Sequence, residues 1–540
     1  MVARLLLWFL IRCLIGSGLL AAGLAVDGPA GFRRFTPLPG FALLAAALGA
    51  MALLRVAREL AAAADGRLVE SGPFQVIRHP MSAGFQLLLL GAALALGSPG
   101  GLLAGGPLAF LLWAAHARFL EEPALKRRFP RQYRRYARGT GFLIPSIYYW
   151  SLHLTYVFYR LWCGLRIRGL EQVPRSGPFF LIALHRNYMD PYFMAFHLPR
   201  RVHYIATAVL FRQWLGRLYF KGLGCIPLVR GRADLRPIMA AFRLLETGGA
   251  VGMYPEGARS WYGESACEPA VFRLLEKPGV PILTAELHGN FEQQPRFSRR
   301  LRRSRLEIRY RLHPPRDAQG LLRDLLARER RWDARRRALA RPMPARCAEQ
   351  LLYLCPQCRV PFRLRGHADG RLVCAACGTG FALLEGKGLS GPQGIWSLVE
   401  VEKRNLAWTQ AYRPGGLRIP GRLVCRQAAR IGGAGGRAPD PDSLRLGRCL
   451  RDGVLALEPE GLSVEESQGP PRRIAYENIT SVLVESNCKL ELTYRAAGRS
   501  GYLFFLPPLR YAVFLQHFLR LRAFANPYAR YRGSGRVELP

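Results

Sequence analysis

The segment FFLIALHRNYMDP, at residues 179–191, decides the fold of the central part of this chain. Its first six residues, Phe179 to Leu184, are all apolar and predict a buried strand. His185 follows the strand directly, and Asp190 stands five residues later, before a proline that suits the first turn of a helix. The segment therefore predicts a strand, a polar turn and a helix start that together carry a His-x4-Asp pair. As an alternative, Asp190 caps the helix, and the two roles are compatible.

The sequence on both sides of this segment alternates short apolar stretches with amphipathic ones. Residues 250–254 predict another strand and residues 235–245 a helix, which is an α/β rhythm. An aromatic stretch at 147–168 suits a helix at a membrane interface. We therefore expect an α/β domain over residues 146–315, followed by an Arg-rich helix or linker at 316–346.

Three further blocks follow the His-Asp pair along the chain. They read GCIPLVR at 224–230, YPEGARS at 254–260 and VPI at 280–282. In order and approximate spacing, the four blocks resemble those of glycerolipid acyltransferases of the lysophosphatidic acid type. Leu184 and Asn187 depart from the residues that are common at these positions in that family, which leaves the acceptor lipid open.

The resemblance implies a membrane-bound O-acyltransferase of phospholipid biosynthesis. The expected donor is acyl-CoA or acyl carrier protein, and the expected acceptor is a lysophospholipid such as 1-acylglycerol-3-phosphate. A neutral histidine can take a proton from an attacking alcohol near pH 7, and a carboxylate can fix its tautomer. His185 is therefore predicted to be the general base and Asp190 its orienting partner, with an ordinary buried histidine as the alternative.

Five other residues in the matching blocks are predicted to bind substrate. They are Arg230, Glu256, Gly257, Arg259 and Ser260. The two arginines suit forked contacts with phosphate oxygens, with ordinary surface charge as the alternative. The glycine would let the backbone approach a ligand closely, and the glutamate would hold an arginine or the acceptor.

The N-terminal region is rich in apolar sequence. Stretches near 5–26, 38–57, 81–98 and 101–119 each come close to the length of a bilayer span. Most flanking basic residues fall on one side if all four stretches cross. This pattern predicts an integral membrane protein with its catalytic domains on the cytoplasmic side. Residues 33 and 34 are arginines on the other side, so the first two stretches could instead form a shallower hairpin.

Two segments of the predicted membrane domain, residues 1–145, carry a second resemblance. They read GPFQVIRHPMSAG at 72–84 and EEPALKRRFPRQYRRY at 121–136. Both resemble membrane methyltransferases of the isoprenylcysteine carboxyl and phospholipid type. The resemblance implies that Arg78, His79 and Glu122 hold S-adenosylmethionine, with ordinary snorkelling side chains as the alternative. Ser82 and Pro130 depart from that pattern, which leaves a noncatalytic membrane anchor open.

Four of the 12 cysteines stand at a regular spacing. The pairs Cys355-x2-Cys358 and Cys374-x2-Cys377 are 15 residues apart. This spacing predicts a structural zinc site with four thiolate ligands, inside a ribbon at residues 347–388. Iron bound as in rubredoxin is the rival interpretation.

The remainder of the chain, residues 389–540, predicts a β-rich domain. Apolar and polar residues alternate at 479–485, 489–494 and 501–505, which is typical of strands, and an amphipathic helix follows at 509–523. Strands capped by one terminal helix resemble a pleckstrin-homology-like module. A generic β-rich accessory domain is the alternative.

The composition places this multidomain chain at a membrane. Among 540 residues, 78 are Lys or Arg and 37 are Asp or Glu, so the formal charge of +41 must face an anionic partner or be screened. Because half of the residues are hydrophobic, an anionic membrane is favoured over nucleic acid. The expected fold class is a helical transmembrane bundle, an α/β acyltransferase domain, a zinc ribbon and a β-rich domain. A bifunctional enzyme with an active methyltransferase domain and a nonenzymatic membrane scaffold are the alternative functions.

Overall fold

The computed structural model describes fourteen stretches of the chain. They are residues 2–27, 38–62, 68–211, 213–228, 235–264, 269–298, 300–315, 317–344, 347–367, 371–424, 450–466, 470–484, 489–496 and 499–524. Within them the chain forms a helical N-terminal region, an α/β domain, a small cysteine-containing sheet and a β-rich C-terminal sheet. This arrangement agrees with the multidomain prediction.

The described part of the N-terminal region is helical. Its α-helices are α1, Val2–Asp27; α2, Pro39–Ala62; α3, Pro73–Val76; α4, Pro80–Ala95; α5, Gly106–His116; α6, Glu122–Arg128; and α7, Pro130–Gly139. Helices α5 and α6 belong to one continuous helix, Gly101–Arg128. A π-helical turn at Gly101–Gly105 begins that helix, and a second one at Ala117–Glu121 interrupts it and changes the direction of the side chains that follow.

Two of the described helices are long and apolar enough to cross a membrane. They are Pro39–Leu60 and Gly101–Arg128, which contain the stretches predicted at 38–57 and 101–119. The stretch predicted at 81–98 lies mostly in α4, which is apolar but only 16 residues long. By length and composition, the described residues therefore support two of the four predicted crossings.

A seven-stranded sheet forms the α/β domain. Its strands are β1, Arg166–Arg168; β2, Phe179–Ile182; β3, Val202–Thr207; β4, Ile226–Leu228; β5, Ala250–Met253; β6, Ile282–His288; and β7, Glu307–His313. Their order is β1-β7-β6-β2-β5-β3-β4. Strands β2 to β6 are parallel, whereas β7 runs antiparallel to β6 and pairs with β1. The carboxyl ends of β2 and β5 consequently meet at one edge of the sheet.

Helices cover both faces of this sheet. They are α8, Ile147–Cys163; α9, Asp190–Ala195; α10, Trp214–Gly222; α11, Arg236–Glu246; α12, Pro269–Glu276; α13, Asn290–Gln293; and α14, Ala318–Arg337. Phe179 and Leu181 of β2 pack into one hydrophobic cluster, and Phe180 and Ile182 pack into another on the opposite face. The strand is apolar throughout because both of its faces are buried.

Helix α14 occupies the Arg-rich segment that was predicted as a helix or linker. Its Leu322 and Leu325 pack against Leu184, at the end of the segment that begins with β2. Its Glu329 forms a buried ion pair with Arg186. The helical prediction agrees with the structure, and the packing attaches this helix to the α/β domain.

Two sheets and two helices form the rest of the described chain. The first sheet contains β8, Pro342–Met343; β9, Leu364–Gly366; β10, Arg371–Cys374; β11, Gly380–Leu384; β12, Gly388–Gly391; and β13, Gly394–Ser397. Helix α15, Leu398–Ala411, leads to the second sheet. That sheet contains β14, Leu417–Val424; β15, Leu450–Leu457; β16, Gly461–Glu466; β17, Arg472–Ala475; β18, Ile479–Val484; β19, Leu490–Ala496; and β20, Arg499–Leu506, and α16, Leu509–Ala523, follows it.

The C-terminal sheet is built from two meanders. Its order is β17-β16-β15-β14-β20-β19-β18, so a four-stranded and a three-stranded meander join through β14 and β20. Strands β18, β19 and β20 and helix α16 agree with the predicted boundaries to within about two residues. The described residues confirm β-rich structure in this region, although β13 and most of β12, predicted as part of the C-terminal domain, belong to the cysteine-containing sheet.

Candidate active site

His185 lies just beyond the carboxyl end of β2, in the loop that leads to α9. Its Nδ1 is 3.0 Å from Oδ2 of Asp190. The Asp190 side chain is fully buried, whereas the His185 side chain is 19 % exposed. When Nδ1–H donates to the carboxylate, Nε2 is the ring nitrogen that can accept a proton. The geometry therefore suits a histidine general base with an orienting carboxylate.

Four hydrogen bonds hold the Asp190 carboxylate. Besides the His185 ring, its Oδ2 accepts the backbone N–H groups of Arg186 and Asn187 at 2.7 and 2.8 Å. Its Oδ1 accepts the side-chain amide of Asn290 at 2.8 Å. Asp190 is the first residue of α9, but its carboxylate turns back toward the preceding loop, and the N-cap position belongs to Met189. The side chain thus organises the loop of residues 183–189, which we call the histidine loop, and does not serve as the helix cap.

The turn after β5 packs against the same histidine. The Tyr254 ring stacks on the His185 ring, with centroids 4.1 Å apart and planes 17° apart. Oε2 of the half-buried Glu256 accepts a hydrogen bond from the His185 backbone N–H. Burial raises the pKa of Glu256 to about 8, even though Arg186 and this N–H favour the charged form. Glu256 therefore positions the backbone of His185.

Gly257 and Ser260 shape the loop that follows, residues 256–264. Gly257 has a φ of +67°, which favours glycine, and a Cβ there would meet nothing within 4 Å. The Ser260 backbone N–H donates to the His185 carbonyl oxygen at 2.9 Å. The 256–264 loop is consequently tied to the histidine loop through main-chain atoms.

Arg259 lies in the same loop and is 9 % exposed. Its guanidinium carbon is 3.3 Å from the centroid of the Tyr188 ring, which belongs to the loop between His185 and Asp190. This stacking fixes the plane of the arginine fork beside the histidine loop. Arg230, the other predicted phosphate ligand, lies outside the residues that the structure describes.

Arg186, the neighbour of His185, had no predicted role and is fully buried. Its Nε donates to the Gly263 carbonyl at 2.6 Å, and its guanidinium pairs with Glu329 of α14. Burial lowers the pKa of Arg186, but the carboxylates of Glu329 and Asp333 outweigh burial and raise it. No local pattern distinguishes this arginine from the chain's other basic residues, because its partners are distant in sequence.

The residues predicted to hold S-adenosylmethionine also come together. Arg78 pairs with Glu122, and Nε2 of His79 lies 3.9 Å from Oε1 of the same carboxylate. Glu121, which had no predicted role, accepts hydrogen bonds from His79 and Arg12, each at 2.7 Å. The π-helical turn at Ala117–Glu121 helps two successive glutamates face one histidine.

Arg78, His79, Glu121 and Glu122 form a polar cluster, and two of its buried atoms are available to hydrogen-bond a ligand. His79 Nε2 and Arg78 Nε have no hydrogen-bond partner among the described residues. Buried polar atoms without partners are costly, so a bound polar molecule would satisfy them. The cluster therefore fits an S-adenosylmethionine site.

The four cysteines of the predicted zinc site lie together. All four sulfur atoms are within 4.8 Å of one another. The Sγ atoms of Cys355 and Cys377 are 3.9 Å apart, and those of Cys358 and Cys374 are 3.8 Å apart. A tetrahedron with Zn–S bonds of about 2.3 Å has edges of about 3.8 Å, so the donor set fits zinc.

Two regions of the chain match known protein families. Residues 164–287 match the model of the Acyltransferase family, and residues 57–132 match that of the Phospholipid methyltransferase family. The chain contains an acyltransferase domain. That match includes the His185–Asp190 pair and the 256–264 loop, and the methyltransferase match includes the cluster around His79.

One relative of known activity supports the first match, and one solved structure is similar. The 1-acyl-sn-glycerol-3-phosphate acyltransferase of Bacillus subtilis (strain 168) is 27 % identical over 99 residues, which are 18 % of this chain and 49 % of that protein. The alignment therefore spans about half of the relative's length. The crystal structure of the 1-acyl-sn-glycerophosphate acyltransferase of Thermotoga maritima matches with a TM-score of 0.30 and 19 % identity, over 40 % of this chain and 88 % of that one.

Proposed function

We propose that this protein transfers a fatty acyl group to the hydroxyl of a lysophospholipid such as 1-acylglycerol-3-phosphate, with acyl-CoA or acyl carrier protein as donor. The observation that carries this proposal is the His185–Asp190 pair, 3.0 Å apart, inside a domain of the acyltransferase family. The reaction takes place at a membrane, with the catalytic domains on the cytoplasmic side.

The chemistry follows from the protonation of the histidine. Nε2 of His185 removes the proton of the acceptor hydroxyl while the oxygen attacks the thioester carbonyl carbon of the donor. The buried Asp190 stabilises the imidazolium that forms. The carbon–sulfur bond then breaks, and the imidazolium returns its proton to the leaving thiolate. The new ester and the free thiol balance the reaction, and His185 ends neutral.

Positive charge beside the histidine loop suits an acceptor that bears a phosphate. The planar fork of Arg259 is held against Tyr188 and can contact two phosphate oxygens at once. Arg230 is proposed as a second ligand from its place in the second sequence block. Glu256, Gly257 and Ser260 maintain the loop that presents Arg259.

Acyl transfer by full-length protein in nanodiscs tests the proposal. Labelled acyl-CoA and acyl carrier protein are supplied with a panel of lysolipids, and His185→Ala is the inactive control. Transfer that requires His185 supports the proposal and names the acceptor class. A folded wild-type protein that uses no donor with any acceptor contradicts it.

A second candidate function is methyl transfer by the N-terminal domain, which the family match over residues 57–132 favours. Arg78, His79 and Glu122 would hold S-adenosylmethionine, which supplies an electrophilic methyl group when bound. Equilibrium dialysis with labelled S-adenosylmethionine tests this function. Binding that is lost in His79→Ala and retained in His185→Ala supports a bifunctional enzyme, whereas the absence of binding to the wild type leaves a membrane anchor.

A further inference from the structure

The second half of the 256–264 loop is buried where the acyltransferase domain meets the ribbon and the C-terminal sheet. Trp261 and Tyr262 are 4 % and 0 % exposed, and they belong to one hydrophobic cluster with the ribbon and the C-terminal sheet. We call the described residues between 342 and 524 the C-terminal module. The loop that carries Arg259 is therefore completed by packing against that module.

Hydrogen bonds fix these two aromatic side chains. Trp261 Nε1 donates to Oε1 of Gln516 in α16 at 3.3 Å. The Tyr262 hydroxyl donates to the Leu351 carbonyl at 2.7 Å and accepts from the Asn405 amide at 3.2 Å. All of these partners belong to the C-terminal module, so the module determines where the two rings lie.

Arg296 links the module to Arg259 itself. Its guanidinium donates through one nitrogen to the Arg259 carbonyl and through another to the Val484 carbonyl at the end of β18. The same guanidinium lies 4.3 Å from the centroid of the Trp261 ring, and Arg296 is only 5 % exposed. One buried fork therefore holds the backbone of Arg259 at a set distance from the C-terminal sheet.

The end of the loop is held from two sides. The Gly263 carbonyl accepts the bond from Arg186, the neighbour of His185. On its other side, a Cβ at Gly263 would lie 2.1 Å from the side chain of Lys387, which pairs with Asp333 of α14. The loop is thus clamped between the histidine loop and the C-terminal module.

We propose that the C-terminal module positions Arg259 for the phosphate of the acceptor, with Arg296 as the positioning residue. This inference rests on the proposed acyl transfer. It assigns the ribbon and the β-rich sheet a direct part in acceptor recognition. Arg296 acts through Arg259 and does not itself contact the substrate.

Steady-state kinetics of full-length protein in nanodiscs test this inference. Arg296→Lys keeps the charge but loses the fork that bridges two carbonyls, so we expect the KM for lysophosphatidate to rise by about tenfold. The kcat and the KM for acyl-CoA stay within about twofold, because His185 is unchanged and Arg259 is assigned to the acceptor. Arg418→Lys, in an exposed ion pair of the same sheet, is the matched control.

A second variant keeps the inference testable if Arg296→Lys does not fold. Trp261→Phe keeps a ring beneath Arg296 but loses the bond to Gln516, and we expect the same selective rise in the KM for lysophosphatidate. An unchanged acceptor KM in both variants overturns the inference, as does an equal fall in kcat with every acceptor, including one that lacks phosphate.

Failure of the proposed function can be separated from failure of this inference. If the wild type transfers no acyl group, its thermal stabilisation by lysophosphatidate is compared with that of Arg296→Lys. A smaller stabilisation in the variant supports the positioning role, and equal stabilisation, or none in the wild type, overturns it.

Discussion

The orientation of the His185 ring depends on one carboxylate with four hydrogen bonds. In Asp190→Asn, an amide group replaces part of this acceptor surface, and the negative charge that stabilises the imidazolium is lost. We expect kcat/KM for acyl transfer to fall by about 10³-fold. Initial rates in nanodiscs measure the fall, with Asp324→Asn on the exposed side of α14 as the matched control. A decrease in kcat/KM of less than about threefold would contradict the orienting role of Asp190.

Glu256 gives the protein a pH-dependent stability. Burial raises its pKa to about 8, above the ordinary value of 4.5, so between these pH values the folded state holds more protons than the unfolded state. Stability therefore decreases as the pH rises through this window. Glutamine does not titrate. The melting temperature of Glu256→Gln minus that of the wild type should therefore increase from pH 5 to pH 8. Parallel melting curves across this range would contradict the raised pKa.

The sequence predicts some residues of the site better than others. His185, Asp190, Glu256 and Arg259 were predicted because they stand in short local blocks that resemble those of glycerolipid acyltransferases. The neighbouring Arg186 was not predicted because its ion-pair partner lies on a helix far along the chain. Burial and pairing across such separations leave no periodic pattern in the sequence.

At the scale of elements, the cysteine ribbon is predicted to depend on its metal. Cys355→Ser removes one thiolate from the tetrahedron, so we expect loss of the single bound zinc and destabilisation by more than about 3 kcal/mol. Metal analysis of purified protein and thermal unfolding measure both effects. Cys13→Ser, outside the cluster, is the control and should retain one zinc. Iron in the wild type would instead favour the rubredoxin-like alternative.

The attachment of α14 to the acyltransferase domain depends on a buried ion pair. Glu329→Leu leaves the Arg186 charge without its closest partner, and we expect a loss of about 3–5 kcal/mol of stability. The double variant Arg186→Met/Glu329→Leu should lose less than the sum of the two single variants, since neither charge remains. Chemical denaturation of the four proteins measures the coupling. Strict additivity would show that the pair does not hold this helix.

Elements were predicted well where one periodicity dominates. The alternation at 479–505 is strong, and β18, β19 and β20 follow it closely. Spans were harder to predict, because apolar length alone does not show where a helix ends, and α4 ends after 16 residues. In α14, the many arginines obscure the apolar positions of Leu322 and Leu325, which pack against Leu184 after β2.

At the scale of the whole molecule, the net charge of +41 should act on substrate capture. Salt screens charges beyond about 10 Å at 0.1 M, so long-range attraction of an anionic lysolipid weakens as salt increases. We expect kcat/KM for lysophosphatidate to fall several-fold between about 50 and 500 mM salt. A neutral acceptor of equal chain length is the control and should change by less than about twofold. Equal salt dependence for both acceptors would contradict electrostatic capture.

The contact between the acyltransferase domain and the C-terminal module was not predictable from the sequence. Trp261 and Tyr262 follow the YPEGARS block as two ordinary aromatic residues, and no local pattern reveals that they are buried against another domain. Domain boundaries read from composition treat each region as separate, whereas the packing joins them at the candidate site.

The bond from Trp261 to Gln516 also sets an order of events during protein synthesis. Gln516 lies 255 residues downstream of Trp261. At about 5–20 residues per second, the ribosome needs roughly 13–50 s to produce that part of the chain. Throughout this interval Trp261 lacks its hydrogen-bond partner Gln516, although the partners of Tyr262 are synthesised earlier. The 256–264 loop therefore reaches its final packing only after Gln516 has been synthesised.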